Sequence, residues 1–409
     1  MATVNDAEIV VVGGGAIGCA VAYSLAQAGK TDVLVIEKEY APASVTSGQA
    51  AGLVGQVRST VERIRLAMHS VAVFSELQKD REASPGWHRV GSLRIALTEN
   101  RAAEFGRLKA RCDEAGLEVK FVDPAFAARA WPGMRFEGVK AILWCPSDGY
   151  LQPYDLAMAY RASGRNMGVA FATATRAERI TVRSGQVEAV VTDRGTARCD
   201  VVINAAGAHA YHVARMAGLE LPLIPVRHEC LITVPGKGID PSFPVFRIPD
   251  AGLYGRPDVN ALLLGGWESP ALALDPRDYD LAVGPPAVAE DWPVLNGFAE
   301  SLAPLYPAVR DLGIRHVCAG WPTFTPDGRF VLGPSRRVKG FVMAGGCNAH
   351  GVSGSAGIGA HLVEALLERK PSAYVRSLSP DRFTETAWNW ETALAGARGV
   401  YESYYAIAC

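Results

Sequence analysis

The chain opens on an unbroken apolar run, Ile9 to Val12, which stops at Gly13-Gly-Gly15-Ala-Ile-Gly18 and yields to small residues from Ala20 to Ala28. A second apolar run, Val33 to Ile36, ends at Glu37. Short apolar runs bounded by turn residues read as buried strands. The order therefore predicts strand, glycine turn, helix, strand. Further on, Ser59-x-x-Glu62 reads as a capping box, and Ile64, Ala67, Met68, Val71, Phe74 and Leu77 recur at helical spacing. Trp87 to Thr98 reads as strand around Gly91, and Arg101 to Gly116 and Tyr154 to Met167 read as helices. Phe171 to Thr192 reads as paired strands with a turn at Ser184-Gly185. Val201 to Gly207 and Phe341 to Gly346 are short buried strands, and a helix is expected from about Gly354 to Leu367. Between them, Leu223 to Gly266 alternates strand-like runs with Pro and Gly breaks, the pattern of an antiparallel sheet. Nucleotide-type segments thus lie at the start, middle and end, with antiparallel segments between them. Two interleaved domains follow, rather than two sequential ones.

Composition changes this picture little. The 409 residues suit two or three domains. With 49% apolar residues and a net charge of −1, a large core is expected, and nucleic acid or an anionic membrane is not indicated as a partner. No apolar run approaches the roughly 18 residues of a membrane span, and no basic region precedes the first apolar run, so no signal peptide is expected. The eight cysteines form no CxxC pair, and no His, Cys or acid cluster has metal spacing. Reduced thiols in a cytoplasmic protein are the plain reading.

The candidate chemistry starts at the glycine turn. A lone Gly-x-Gly-x-x-Gly is a weak signal; here strand, helix and acid stand in register with it. Gly13 permits the tight turn, Gly15 lets backbone approach a pyrophosphate, and Gly18 lets helix and strand pack closely. The pyrophosphate would rest on the helix start, at Ala16 and Ile17. Glu37 suits ribose hydroxyls; Lys38 is either a neighbour of the ribose or a solvated charge.

The Gly13–Glu37 unit, Val201 to Gly207, Thr325-Pro-Asp-Gly328 and Gly345 to Gly359 together resemble the D-amino-acid-oxidase-like FAD oxidoreductases. Ala50-Ala-Gly-Leu53, Gly91-Ser-Leu-Arg94, Asp148 to Pro153, Pro225-Val-Arg-His228 and Asn348 to Ser355 are most similar to the dehydrogenase half of dimethylglycine and sarcosine dehydrogenases. The resemblance implies an α/β fold in which an FAD-binding Rossmann-like domain (1–80, 146–222, 318–386) is interleaved with an antiparallel-sheet substrate domain (81–145, 223–317). A C-terminal helical tail (387–409) follows. Within it, Ala397 to Ile407 resembles a linker that leads, in those larger proteins, to a folate-binding half, and a separate folate-binding subunit docking near residues 387–409 is one implied partner. Covalent FAD attachment is not expected. Gln49 stands where the dehydrogenases carry a His, and Gly320 stands where monomeric sarcosine oxidases carry a Cys, with Cys318 two residues off register.

The same resemblance places Ser47, Gly48, Gln49, Ala51, Gly52 and Leu53 along the flavin, Ala177 at the adenine, and Ala206, Gly207 and His209 beside the phosphates. Gly346, Asn348, Gly351 and Val352 are placed at a helix start facing the ring, with Asn348 adding a hydrogen bond. His228 and Tyr254 are the catalytic candidates. Arg256, ahead of Arg227, is expected to bind a substrate carboxylate, and His350 and Trp267 to line the substrate pocket, the alternatives being surface charges, a structural histidine and a core tryptophan. The implied activity is oxidation of the C–N bond of a secondary or tertiary amine, an N-methyl amino acid first among them, with formaldehyde released and oxygen or an electron-transfer protein as acceptor. A D-amino acid, glycine or a cyclic imino acid is the enzymatic alternative. A non-catalytic or assembly flavoprotein, or a flavoprotein subunit of a larger complex, is the alternative of another class.

Overall fold

The computed structural model describes residues 4–407 except 81 and 237; Cys409 lies outside the described residues. Ile9–Val12 and Val33–Ile36 are buried along their whole length and pair in parallel, Ile9 opposite Val33 and Val12 opposite Ile36. Helix Ala16–Gln27 makes the crossover. A Cβ on Gly18 would fall 1.7 Å from the carbonyl oxygen of Gly13, so the helix closes on its own turn only because that position is glycine. Val201–Asn204 joins the other edge of Ile9–Val12, again in parallel. The finished sheet has six strands in the order Val331–Pro334, Phe341–Gly345, Val201–Asn204, Ile9–Val12, Val33–Ile36, Ala170–Ala172. A three-stranded antiparallel meander follows Ala170–Ala172, with its first two strands, Ala177–Arg183 and Gln186–Thr192, turning at Ser184-Gly185.

The second sheet has eight strands in the order Ile314–Gly320, His228–Thr233, Ala261–Gly266, Leu253–Asp258, Val245–Ile248, Ser92–Ala96, Ala141–Cys145, Lys120–Phe121. All neighbours are antiparallel except Val245–Ile248 beside Ser92–Ala96. One face packs Leu93, Phe246, Leu253, Leu262 and Leu264 against Trp131 and the helix Trp292–Leu302. Alternation along each strand turns Arg247 and Tyr254, the neighbours of Phe246 and Leu253, to the other face.

Two local expectations shift. The helix Val61–Leu77 is capped by Thr60, whose hydroxyl accepts from the Arg63 amide, so the Ser59/Glu62 box is one residue out of register. The strand expected over 87–98 begins at Ser92, because Gly91 holds φ +80° with the Trp144 indole 2.0 Å from where a Cβ would lie. No helix among the described residues is long and apolar enough to cross a membrane.

Candidate active site between the two sheets

A long cleft runs from the C-terminal ends of the first sheet to the open face of the second. At its first end, the Glu37 carboxylate accepts the Gly14 and Glu39 amides at 2.7 and 2.8 Å. Burial pushes this acid above its ordinary range, and these two amides pull it back. Lys38 pairs with Glu39 at 2.8 Å, and both line the cleft, as does Ala177. The helix start at Gly15 has no side-chain cap and no acid in its first turn. The hydroxyl of Ser47 takes the Ala16 amide at 3.0 Å, which leaves Ile17 and its neighbours facing the cleft. Gly13, Gly15, Ala206, Gly207 and His209 continue this wall, and burial beside Lys38 drops the His209 imidazole to about 4, keeping it neutral. Its Nε2 is buried without a hydrogen-bond partner among the described residues. A positive helix end with no acid in its first turn, a carboxylate at the end of the second strand and a wall of small residues fit the pyrophosphate and adenosine of FAD.

The middle of the cleft is lined by Ser47, Gln49, Ala51, Gly52 and Leu53 on one side and by Gly345, Cys347, Gly351 and Val352 on another. Three expected cofactor contacts lie off this wall. Gly48 is turned inward, a Cβ there falling 2.5 Å from the Ala43 carbonyl oxygen. Gly346 packs against Thr325, with Gly345 and Cys347 facing the cleft in its place. The Asn348 amide is consumed internally: it accepts the Thr325 N–H at 3.0 Å and donates to the Gly346 carbonyl at 2.8 Å, so it shapes the turn and offers no bond to a ring. Gly18 likewise serves helix packing and does not line the cleft. Gln49 and Gly320 face one another with no thiol between them. Cys318 pairs across strands with Cys230 and packs with Tyr254, Ala51 and Leu53, without itself lining the cleft. Cys347 reaches the wall, but burial pushes its thiol to about 12 and keeps it protonated.

At the far end stand His228, Tyr254 and Trp267. His228 Nε2 lies 2.7 Å from Tyr254 Oη, and Nδ1 lies 2.9 Å from Tyr401 Oη. Burial drops the imidazole to about 4. A neutral ring has one donor and one acceptor, so one tyrosine donates to it and the other accepts from it. Burial also holds both phenols protonated, well above their ordinary value.

Arg256 is not at this wall. It lies two residues beyond Tyr254 on the same face, but Leu53–Val54 pairs with Gly149–Tyr150 above it. Its guanidinium donates to the Ala51 and Pro257 carbonyls at 2.6 and 2.7 Å, pairs with Asp258 at 3.1 Å and lies over the Tyr150 ring. It supports the loop and does not line the cleft. Its place is taken by Arg247 and Arg58, which do line the cleft. His350 is displaced too: its Nδ1 meets the Asn348 carbonyl at 2.8 Å and its Nε2 meets Tyr404 Oη at 3.2 Å, so it stands behind Tyr404. Tyr404 in turn stacks on Trp267, ring centroids 3.6 Å apart, and Tyr405 joins it on the wall.

The tail expected to be a linker therefore walls the site. Helix Trp390–Glu402 buries Ala393, Ala397 and Tyr401, four residues apart, against Ile224 and Phe324. That spacing, with three tyrosines at 401, 404 and 405, was the signal in the sequence. Arg247 left a fainter one, a lone charge inside the apolar strand Val245–Ile248.

Two interlocked sheets, a Glu37-ended glycine turn and a cleft joining them define an FAD-dependent oxidoreductase. The chain belongs to that family: the family profile described as DAO, FAD dependent oxidoreductase, matches residues 8–365. It is 28% identical over 408 residues to dimethylglycine dehydrogenase of Rattus norvegicus, covering 98% of this chain and 47% of that protein. It is 29% identical over 378 residues to the formaldehyde-forming 4-methylaminobutanoate oxidase of Paenarthrobacter nicotinovorans, covering 92% of this chain and 45% of that one. The chain thus spans about half the length of these relatives. Among solved structures, the L-proline dehydrogenase from P. horikoshii superposes with a TM-score of 0.83 at 23% identity, over 93% of this chain and 98% of the other, and shares its fold.

Proposed function

We propose that the chain oxidises the C–N bond of a secondary or tertiary amine that carries a carboxylate, an N-methyl amino acid first among them, with FAD held non-covalently. The flavin domain would comprise 1–80, 146–222 and 318–386, and the substrate domain 81–145 and 223–317. The observation that carries this reading is the neutral His228 held between Tyr254 and Tyr401, beside two arginines that face the cleft. Arg58 and Arg247 would hold the carboxylate. The carboxylates on the cleft wall, among the described residues, are Glu37 and Glu39, at the opposite end from His228. An ammonium beside Arg58 and Arg247 is thus repelled with no acid to balance it, and the amine is held as its free base, with the nitrogen lone pair available. Tyr254 and Trp267 orient it. FAD, when bound, supplies the acceptor for hydride from the carbon next to nitrogen. Water then adds to the resulting iminium, and a methyl carbon leaves as formaldehyde.

Anaerobic mixing of the yellow protein with sarcosine, dimethylglycine, other N-methyl amino acids, proline derivatives and D-amino acids tests this reading. Bleaching by an N-methyl compound supports it, and readmitting oxygen then identifies the acceptor as oxygen or an electron-transfer protein. FAD that stays oxidised with every member of the panel would sink it.

A further inference from the structure

Two arginines, Arg58 and Arg247, line the far end of the cleft, and a third, Arg94, stands beside Arg247 without lining it, so the three hold more positive charge than one carboxylate neutralises. Arg94 and Arg247 face each other directly across the parallel strand pair. Like charges at opposed positions of a sheet destabilise it. Arg58 and Arg94 donate to the same carbonyl, that of Val57, at 3.2 and 3.3 Å. The Arg247 guanidinium lies flat over Gly55, whose missing Cβ would come within 2.5 Å of it. Three guanidiniums therefore converge, with Arg63 close by. Among the described residues none of the four has a carboxylate within 4 Å, although twelve other arginines of the chain do. Glu104 is the acid that Arg94 feels, and it is bound to Arg101 at 2.6 Å. Arg247 is only 9% exposed and lines the cleft. Burial together with Arg247, Arg63 and Arg94 lowers the Arg58 guanidinium to about 10. A buried cation without a counter-ion is a large cost to the fold unless a ligand supplies the charge.

We propose that Arg58, Arg94 and Arg247 form a subsite for two negative charges, so that the substrate is an amine bearing two carboxylates. This rests on the amine-oxidation reading for the nitrogen but not for the anion. One carboxylate would meet Arg247 and Arg58 beside Tyr254, and the second would meet Arg94 and Arg58. Tyr405 closes the far side: it is half-buried near Arg247 and Arg94, and its carbonyl accepts from Arg101.

Inert probes separate the two claims. The FAD-loaded protein is titrated with glutarate and butyrate, and with malonate and acetate, following the flavin absorbance. Each dicarboxylate is expected to bind at least tenfold tighter than its monocarboxylate partner, and Arg94→Gln is expected to shrink that ratio to about twofold. In the bleaching assay, N-methylaspartate or N-methylglutamate should outpace sarcosine by a similar factor. Ratios below twofold in the unaltered protein overturn the proposal, as does a tenfold ratio that survives R94Q. Rapid bleaching by sarcosine with no dicarboxylate preference removes the second anion and leaves amine oxidation standing. Dicarboxylate preference with no bleaching by any amine removes amine oxidation and leaves the subsite.

Discussion

His228 is held uncharged by burial. Its ring is neutral throughout the physiological range, so the rate of flavin reduction should rise with pH along a single ionisation, that of the bound amine. No histidine limb should appear between pH 5 and 8 in stopped-flow reduction. Tyr254→Phe removes one hydrogen bond to the ring and should slow reduction about tenfold, the worth of roughly 1–2 kcal/mol. The two arginines on neighbouring strands should separate cleanly. Arg247→Met should weaken carboxylate binding by about tenfold to a hundredfold, as expected for a charge-assisted bond, with thermal stability kept or raised. Arg256→Met should do the reverse. It strips a buried partner from Asp258, costing about 3 kcal/mol, and a melting curve should fall by several degrees while affinity changes less. The motif around Tyr254 drew attention to Arg256 by proximity in sequence. Which arginine meets the cleft is decided by the short pairing of Leu53–Val54 with Gly149–Tyr150, which no periodicity in either segment discloses.

At the scale of elements, strong patterns were readable and shared walls were not. The glycine turn, the Ser184-Gly185 hairpin and the buried strands at Val201–Asn204 and Phe341–Gly345 each declare themselves through a local run of residues. The far end of the cleft is assembled from the strands at 228, 247 and 254 and from the tail at 404–405. Its residues are neighbours only after both the sheet and the tail helix have formed. The tail helix is the element to test. Ala397 is fully buried, and Ala397→Arg should peel Trp390–Glu402 from Phe324, lower the melting temperature and weaken glutarate binding together, because Tyr401, Tyr404 and Tyr405 leave with it. Tyr401→Phe removes the bonds of its hydroxyl to His228 Nδ1 and to the Glu268 backbone, and should slow flavin reduction severalfold while lowering the melting temperature by a few degrees, less than Ala397→Arg does.

Over the whole molecule, buried neutral imidazoles bias stability against acid. His209 and His228 are held near 4, and His350 is held well below its ordinary value. An unfolded chain takes up protons at these sites below about pH 6.5 and the folded chain does not, so stability should fall as pH drops from 6.5 toward 4. Glu37 and Glu229, raised by burial, act with the opposite sign over the lower part of that window. A melting temperature that falls steadily from pH 7 to pH 5 is the expected outcome, and a flat one would contradict the burial of these rings.

The interleaving of the two sheets also governs when the protein can exist at all. Ile9–Val12, among the first strands synthesised, waits for Val201–Asn204 to cover one edge, and that strand waits for Phe341–Gly345. His228–Thr233 likewise waits for Ile314–Gly320. Such long closures are slow and expose apolar edges while incomplete. On the ribosome, neither sheet can be finished before most of the chain has emerged. Nascent chains stopped short of residue 314 should be protease-sensitive along their entire length, with protection appearing late and in both sheets within a short span of further synthesis.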